Sequence, residues 1–282
     1  MHIDWYASTI YDKQRNIKEV LSRELNGVFC KERTGLNSYE NRETMFSIGE
    51  GKGSKCLTLL YGGVNDHPHA FASGDNAEIF SNVVREVWGD SHHVTRIDSC
   101  EDLQGETVFD ELSEQLLSVA KDSRIKISQQ GDWIMEKSGR TLYLGSTTSP
   151  CRVRLYEKTE ELRAKLPASY HSIIPENLVR LEIQARPQKN QRKEASLLSA
   201  IDVWGLSKWT STVADKCLSS KVKRVKLDSW FHTNDDKSLD WMCRQYGSVI
   251  LRLFRKHDGD HKAFCEDIFK KINNFKYHNF IN

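Results

Sequence analysis

The sequence has little proline, no low-complexity tract, no visible repeat and no strong net charge. Its 282 residues include only 5 prolines, and the formal net charge at pH 7 is +2. These shortages argue against a linker-rich or disordered chain and against a uniformly basic nucleic-acid-binding surface. A chain of this length is expected to form one large or two modest domains, each with its own core.

Disulfide patterns, secretion signals and membrane spans are also missing. The 7 cysteines are scattered and include no C-x-x-C pair, which argues against a disulfide framework and a zinc site. The N-terminal stretch MHIDWYASTI has Asp4 and no apolar h-region. No run approaches the roughly 18 apolar residues of a membrane span. We therefore expect a cytoplasmic protein without a membrane partner.

Hydrophobic spacing predicts strands mixed with helices, followed by helices alone. The predicted fold class is α+β, a mainly antiparallel sheet with helices packed on one face and a helical C-terminal region. The expected domains are an α+β domain over 1–192 and a helical C-terminal region over 193–282. Predicted strands cover 2–9, 55–61, 68–72, 92–99, 124–128, 132–137, 141–145, 151–158 and 178–186, with loop or edge hairpin over 30–54. Predicted helices cover 13–26, 75–88, 107–121, 195–218, 238–256 and 261–274.

Three of these strands carry charged side chains along one face. Because successive residues of a strand point to opposite faces, the run RVRLYEK (152–158) places Glu157 opposite the other charged residues. A surface sheet with cross-strand ion pairs is one explanation. A site that binds an anion and a metal ion is the other. The residues that share the polar face are Arg152, Arg154, Tyr156 and Lys158; Arg96, Asp98, Cys100 and Asp102; and Arg180, Glu182, Gln184 and Arg186.

These residue types suit the chemistry of a phosphodiester. A tyrosine hydroxyl has a pKa near 10 and needs activation to act as a nucleophile, and nearby cations favour the phenolate. Arginine holds phosphate through two hydrogen bonds. Three carboxylates suit Mg²⁺ or Mn²⁺, which polarises a phosphoryl oxygen. Together they indicate transesterification with Tyr156 as nucleophile and Asp98, Asp102 and Glu182 as metal ligands.

Four stretches carry a resemblance to a known family. They are HAFASGDNAEIF (69–80), VTRIDSCED (94–102), TLYLGSTTSPCRVRLYEKTEE (141–161) and LVRLEIQAR (178–186). Over about residues 1–205 the chain resembles the Rep_trans replication initiation factors of rolling-circle plasmids and filamentous phages. The resemblance implies a site-specific nickase and ligase that cuts one strand at an origin and keeps a covalent 5′-phosphotyrosine. Residues 1–192 would then be the nicking domain, and residues 193–282 a DNA- or partner-binding region.

The resemblance also implies roles for individual residues. Tyr156 is the expected nucleophile, and Arg154 and Lys158 are expected to contact the phosphate or lower the tyrosine pKa. The expected metal ion is Mg²⁺ or Mn²⁺, with Glu101 as an alternative ligand to Asp102. The expected partners are double- and single-stranded origin DNA and a host helicase, while a homodimer and the choice between plasmid and phage stay open.

Basic residues provide further candidates for DNA contact. Two runs contain no acid, RPQKNQRK (186–193) and KVKRVK (221–226), and such runs contact phosphates or simply form a solvated surface. Lys226 ends the second run. The DNA-binding candidates are Arg96, Arg152, Arg180, Arg186, Lys189, Arg192, Lys193, Lys221, Lys223 and Arg224.

Other readings of the sequence are weaker. A non-catalytic DNA-binding or regulatory protein derived from such an initiator is the main alternative, whereas the arginine–histidine–arginine pattern of tyrosine recombinases is missing. His67 and His69 are expected to be exposed loop residues rather than metal ligands, and His92 and His93 to point to opposite faces. Core roles are expected for Tyr6, Tyr61 and Tyr143, and helix packing for Trp204, Trp209, Trp230 and Trp241.

Overall fold

The computed structural model describes residues 1–12, 14–32, 34–48, 53–135, 138–225, 227 and 234–279. The chain forms two compact units, Met1–Ser229 and Trp230–Asn282. Residues 193–229 therefore belong with the first unit, and the boundary predicted between residues 192 and 193 falls inside it. The functions assigned to the two regions stay predictions.

The first unit is built on one antiparallel sheet whose described strands run in the order β2-β3-β4-β5-β1-β6-β10-β9-β8-β7. This arrangement confirms the predicted α+β class. Strands β2 and β3 form the edge hairpin that was the alternative to a loop over 30–54. The strands are β1 (His2–Ile10), β2 (Gly27–Lys31), β3 (Asn41–Ser47), β4 (Lys55–Gly62), β5 (Asn65–Ser73), β6 (His92–Gln104), β7 (Ile127–Gln130), β8 (Thr141–Leu144), β9 (Cys151–Glu157) and β10 (Leu178–Ala185).

Helices follow the predicted positions with two main differences, one of which is that the helix Lys158–Lys165 was not predicted. The predicted helix 195–218 is divided into three, because Ser199 and Ser207 each form a capping box that begins a new helix. The described helices are α1 (Ile17–Glu24), α2 (Asp75–Trp88), α3 (Val108–Ser123), α4 (Lys158–Lys165), α5 (Arg192–Ala195), α6 (Ala200–Trp204), α7 (Lys208–Leu218), α8 (Asn234–Lys256) and α9 (His261–Asn279).

The hydrophobic core lies between one face of the sheet and the helices of the first unit. Alternate residues of the central strands, such as Tyr6, Ile97 and Leu181, are buried there with Phe80 of α2. Trp204 of α6 is fully buried in the same core, and its indole Nε1 donates to Ser99 Oγ at 3.1 Å. The opposite face of the sheet carries the polar residues.

Two predicted strands differ from the structure: one is absent over its described residues and the other is one residue shorter. Residues 132–135 are not a strand, because the Asp132 carboxylate accepts the backbone N–H groups of Ile134 and Met135 in a local turn; residues 136 and 137 lie outside the described part of the chain. Strand β9 ends at Glu157, and Lys158 is the first residue of α4.

The second unit contains α8 and α9, which confirms the predicted helices 238–256 and 261–274. Phe254 of α8 and Phe264 of α9 meet edge to face, with ring centroids 5.4 Å apart. Across the described residues of both units, no helix combines the length and hydrophobicity that crossing a bilayer requires.

Candidate active site

Strand register brings the three predicted charged strands side by side. Arg180 of β10 lies opposite Asp102 of β6 on one side and opposite Tyr156 of β9 on the other. Glu182 lies opposite Arg154 in the same way. Directly opposed residues of antiparallel strands point to the same face, so these side chains form one polar surface across the centre of the sheet.

Each predicted carboxylate ligand is bound by an arginine. Arg96 Nε lies 3.0 Å from both carboxylate oxygens of Asp98. Arg154 Nη2 donates to Glu182 Oε2 at 2.7 Å. The cross-strand pair of Arg154 with Glu182 was not visible in the sequence, because alternation predicts the face of a side chain but not its partner on another strand.

Arg180 links its own strand, β10, to β6 and β1. Its Nε and Nη2 donate to the two carboxylate oxygens of Asp102 at 2.5 and 2.7 Å, and its Nη1 donates to Asp4 Oδ1 of β1 at 2.6 Å. Glu101, the alternative to Asp102, lies opposite the core residue Leu181 and therefore points to the other face. Asp102 is thus the member of that pair on the polar surface.

The predicted carboxylates do not converge on one ion. Asp98 and Asp102 are four residues apart on β6, which is about 13 Å along a strand. Two ligand oxygens of one Mg²⁺ or Mn²⁺ bond at roughly 2 Å each, so both aspartates cannot bind the same ion directly. Asp102 and Glu182 lie nearer to each other, on neighbouring strands around Cys100.

Another group has the spacing of a metal site. In the part of the chain that the structure describes, one ligand atom each from His2, Asp4 and Cys100 lie within 4.8 Å of one another. His2 Nε2 is 3.2 Å from Cys100 Sγ. The rule that excluded a zinc site relied on paired cysteines in sequence, and it misses ligands that strand pairing brings together.

Burial changes the protonation of Asp98. Its side chain is 1% exposed, and burial raises the pKa of its carboxyl to about 7 despite the opposing effect of Arg96. Repulsion from Glu182 acts in the same direction as burial. Asp98 therefore exchanges a proton near neutral pH.

Tyr156 is surrounded by cations. The Arg154 guanidinium lies 4.1 Å from the centre of its ring, and Lys158 Nζ lies 3.4 Å from its hydroxyl. Lys158 also pairs with Glu161 at 2.6 Å. Although Lys158 belongs to α4 rather than to the strand, its side chain still reaches the tyrosine.

The phenol is less acidic than the cations alone would make it. Tyr156 is only 4% exposed, and burial raises its pKa well above the ordinary value of 10, against the lowering effect of Arg154. Arg154 lowers the tyrosine pKa, as expected from the sequence, but in the protein without DNA this effect is smaller than that of burial. Burial outweighs the arginine because it penalises the charged phenolate.

Several N–H donors on the polar surface have no hydrogen-bond partner among the residues that the structure describes. They are buried at the atomic level, and an unsatisfied buried donor costs about 1–3 kcal/mol. A bound anion would satisfy them. These donors are Trp5 Nε1, Arg152 Nε, Arg154 Nε and Arg186 Nη1.

The remaining basic candidates fall in different places. Arg192 is half-buried, while Lys189 and Lys193 are exposed, and Lys193 pairs with Asp90 at 2.9 Å. Val222 and Val225 pack against the core, so their run lies with the helix layer and not with Tyr156. That run contains the exposed Lys221, Lys223 and Arg224, and its last residue, Lys226, lies outside the described residues.

The other tyrosines divide between core and surface. Tyr6 is buried, as predicted, and Tyr61 packs partly against the core. The prediction for Tyr143 is wrong, because it lies opposite Arg154 on the polar surface and Arg152 covers its ring at 3.8 Å. Apolar neighbours in sequence suggested a core position, but alternation places those neighbours on the opposite face.

Histidine and tryptophan predictions had mixed outcomes. His92 is buried and His93 is not, which confirms that they point to opposite faces. His67 and His69 belong to β5 rather than to a loop. Trp204 packs in the core as predicted, Trp209 packs against it, and Trp241 is 59% exposed; Trp230 lies outside the described residues.

Comparisons with solved structures and with protein families each gave a match. A rolling-circle replication initiator protein from Geobacillus stearothermophilus has a similar structure, with 20% sequence identity and a TM-score of 0.47 over 72% of this chain and 82% of that one. No curated protein matches the chain. Residues 92–226 match the replication initiation factor family, Rep_trans, and this segment contains Asp98, Tyr156 and Glu182. Over these residues the chain is thus similar to a Rep_trans replication initiation factor, and the resemblance expected from its sequence is confirmed.

Proposed function

We propose that the protein initiates rolling-circle replication by nicking one strand of origin DNA with Tyr156 and later rejoining it. The contact between Lys158 and the Tyr156 hydroxyl, beside Arg154, carries the proposal. It lies in the segment that matches the replication initiation factor family. The unpartnered Arg154 Nε adds a donor that a phosphate would satisfy.

The proposed reaction is a balanced exchange of two phosphate esters. The Tyr156 oxygen forms a bond to phosphorus as the bond from phosphorus to the 3′ oxygen breaks. The phenolic proton is lost, and the 3′ oxygen gains one to become a hydroxyl. The 5′ phosphate stays on the tyrosine, and a later attack by a 3′ hydroxyl reverses the exchange and rejoins the strand.

The surrounding cations have distinct tasks in this proposal. Arg154 binds a non-bridging oxygen through Nε while its Nη2 stays on Glu182. Lys158 donates to the phenolic oxygen and stabilises the negative charge as the proton leaves. Donors placed where charge develops are worth about 10²–10³ in rate, which matters here because burial has made the phenol a weaker acid.

A divalent ion fits beside these residues. When bound, it would polarise a phosphoryl oxygen and offset the charge of the transition state. Asp102 and Glu182 provide oxygen ligands of the type that Mg²⁺ and Mn²⁺ prefer. The group of His2, Asp4 and Cys100 includes nitrogen and sulfur ligands and instead suits a softer ion such as Zn²⁺.

The proposal includes double-stranded origin DNA, which is recognised before cutting, and single-stranded DNA, which is displaced afterwards. Recruitment of a host helicase and assembly into a homodimer are further predictions from the family resemblance. Initiation in this form places the protein with its replicon in the cytoplasm.

Burial of Tyr156 favours one alternative. A non-catalytic DNA-binding protein derived from such an initiator needs no accessible hydroxyl, and Tyr156 is 4% exposed. Arg154 and Lys158, which cover the ring and hydroxyl, are more exposed, at 25% and 15% of their side chains. In the nicking proposal, DNA binding shifts these two side chains enough to expose the hydroxyl to the phosphate while Arg154 keeps Glu182 and Lys158 keeps the phenolic oxygen.

Nicking of supercoiled plasmid carrying the replicon's own origin, in Mn²⁺, tests the proposal. Tyr156→Phe is expected to lose nicking by roughly 10⁴-fold or more, as removal of a nucleophile does. Tyr143→Phe is the matched control, since it removes a hydroxyl from the neighbouring strand under a similar arginine. Equal nicking by wild type and Tyr156→Phe would exclude Tyr156 as nucleophile, and no nicking by wild type would favour the alternative.

A further inference from the structure

A cavity opens on the polar face of the sheet, far from Tyr156. Its volume is about 590 Å³, and it extends over β5, β1 and β6. His67 and His69 point into it from β5, beside Thr9 and Thr95. The other main lining residues are Tyr11, Tyr39 and Arg192.

Strand register shows that this cavity and Tyr156 share one face. Thr9 lies opposite His69 on one side and opposite His93 on the other. Four residues earlier on the same strand, Trp5 lies opposite Asp98 and therefore points to the same face as Thr9. His93 and Asp102 are nine residues apart on β6, so the cavity lies about 30 Å from the row that contains Tyr156.

The cavity is lined by aromatic rings. The Tyr11 ring lies between those of His67 and His93, with centroid distances of 4.6 and 4.5 Å. Tyr39 and His69 have nearly parallel rings 6.3 Å apart. Base stacking on such rings is worth about tenfold or more in affinity per base and tolerates any sequence.

Polar groups in the cavity suit a base and its phosphate. His67 Nδ1 is a buried atom with no hydrogen-bond partner in the described part of the chain. Burial lowers the pKa of His69 to about 4, so its ring is neutral at pH 7. Arg192 adds a positive charge, and Asp66 at the rim accepts hydrogen bonds of the kind that amino groups on base edges donate.

We propose that this cavity binds one unpaired nucleotide of single-stranded DNA, with the base among Tyr11, Tyr39 and His67 and the phosphate on Arg192. The size fits a nucleotide, and a base in a duplex could not enter because its partner and neighbours cover it. The proposal rests on the proposed function only for the identity of the strand, which is the one that Tyr156 cuts.

Residues between the cavity and Tyr156 form a path for the strand. Trp5 stacks on Phe71 at 5.2 Å, and the Arg96 guanidinium covers the Trp5 ring at 4.6 Å. Farther along, Arg152 and Arg186 each have an unpartnered N–H donor. Aromatic rings alternating with cations are the arrangement by which proteins follow single strands.

Fluorescence anisotropy with a labelled, mixed-sequence 12-nucleotide single strand tests the cavity directly. We expect Tyr11→Ala to bind about tenfold or more weakly. Arg192→Ala should bind several-fold more weakly and reduce the slope of log affinity against log salt by about 0.7. The matched controls are Tyr170→Ala and Lys121→Ala, which remove an exposed ring and an exposed charge outside the cavity and should bind like wild type.

Equal binding by Tyr11→Ala and Tyr170→Ala, with both variants folded by circular dichroism, would overturn the proposal. If Tyr11→Ala does not fold, photocrosslinking of wild type to bromodeoxyuridine-substituted single strand replaces it. Crosslinks in peptides containing Tyr11, Tyr39 or His67 would support the site, and crosslinks confined to other peptides would exclude it. Binding of a free mononucleotide in preference to the 12-mer would also contradict it.

Different results would exclude the nucleotide-binding cavity and the tyrosine mechanism. Loss of single-strand affinity in Tyr11→Ala together with undiminished nicking by Tyr156→Phe would keep the cavity and exclude the tyrosine mechanism. Nicking that depends on Tyr156, together with full single-strand affinity in Tyr11→Ala, would keep the tyrosine mechanism and exclude the cavity as a nucleotide site.

Discussion

Asp98 and Arg96 form a buried pair in which burial raises the pKa of the aspartate from 3.8 to about 7. The folded protein therefore binds one more proton than the unfolded chain between about pH 4 and pH 7. The resulting stability is complete below about pH 4 and is lost as the pH rises through 7. We predict that the melting temperature in EDTA falls more between pH 5 and pH 8 for wild type than for Asp98→Asn.

His69 and His92 affect the same curve with the opposite sign, because burial lowers their pKa to about 4 and their stabilisation is lost as the pH falls below 6.5. Both histidines are unchanged in the variant, so the difference between the two curves reports Asp98. The exposed Asp122→Asn is the control and should follow wild type. An Asp98→Asn curve parallel to that of wild type would show that Asp98 does not titrate in this range.

Lys158 offers a test of charge stabilisation at the Tyr156 hydroxyl. Lys158→Met should slow nicking by about 10- to 1,000-fold at pH 7.5, because the developing phenolate loses its donor. Lys165→Met is a close control, since Lys165 also pairs with Glu161 at 2.7 Å and lies in the same helix. Equal loss of nicking in both variants would assign the effect to Glu161 and not to the tyrosine.

For individual site residues, the sequence predicted the face of the sheet on which a side chain lies, but not its burial or its partners. Alternation placed Tyr156, Asp102 and Glu182 on one surface because the period of a strand is two. It gave no information about the burial of Tyr156, since that depends on long side chains from neighbouring strands. It also missed Asp4 and His2, which reach this surface only because β1 pairs with β6.

At the level of elements, Arg180 holds three strands together through Asp4 and Asp102. Its side chain is 9% exposed, so its removal leaves two carboxylates without their partner. We predict that Arg180→Met lowers the free energy of unfolding by about 3–5 kcal/mol, measured by urea denaturation. Arg163→Met, which breaks exposed pairs with Glu160 and Glu176, should lower the free energy of unfolding far less, because solvent screens exposed ion pairs.

Equal stability of Arg180→Met and Arg163→Met would mean that water or protonation stabilises the carboxylates around Arg180 after the arginine is removed.

Elements themselves were predicted well where the hydrophobic period was strong, as in β6 and α2. Short elements were not, because α4 has almost no apolar face and capping by Ser199 and Ser207 divides one hydrophobic pattern into separate helices.

For the whole molecule, the structure and the sequence differ on where the first unit ends. The core includes Leu198, Val203, Trp204 and Val213, all beyond the boundary predicted at residue 192. We predict that residues 1–229 fold with a cooperative thermal transition, whereas residues 1–192 do not. Removal of one buried tryptophan alone costs about 3–5 kcal/mol, which is a large part of a typical domain's stability.

Circular dichroism and thermal melting of the two fragments check this expectation. A folded 1–192 fragment would show that the helices after β10 cover a sheet that is already stable. The sequence placed the boundary at a basic run and a change to helical spacing, but neither feature reports which side chains enter the core.

The central claim, that Tyr156 attacks DNA, is tested most directly by locating the covalent bond. After reaction with origin plasmid in Mn²⁺ and digestion with nuclease and trypsin, Tyr156 and Tyr143 fall in different peptides, 155–158 and 141–152. Mass spectrometry should find a nucleotide phosphate on the 155–158 peptide. A nucleotide on the 141–152 peptide, or nicked plasmid with no modified tyrosine peptide, would contradict the account.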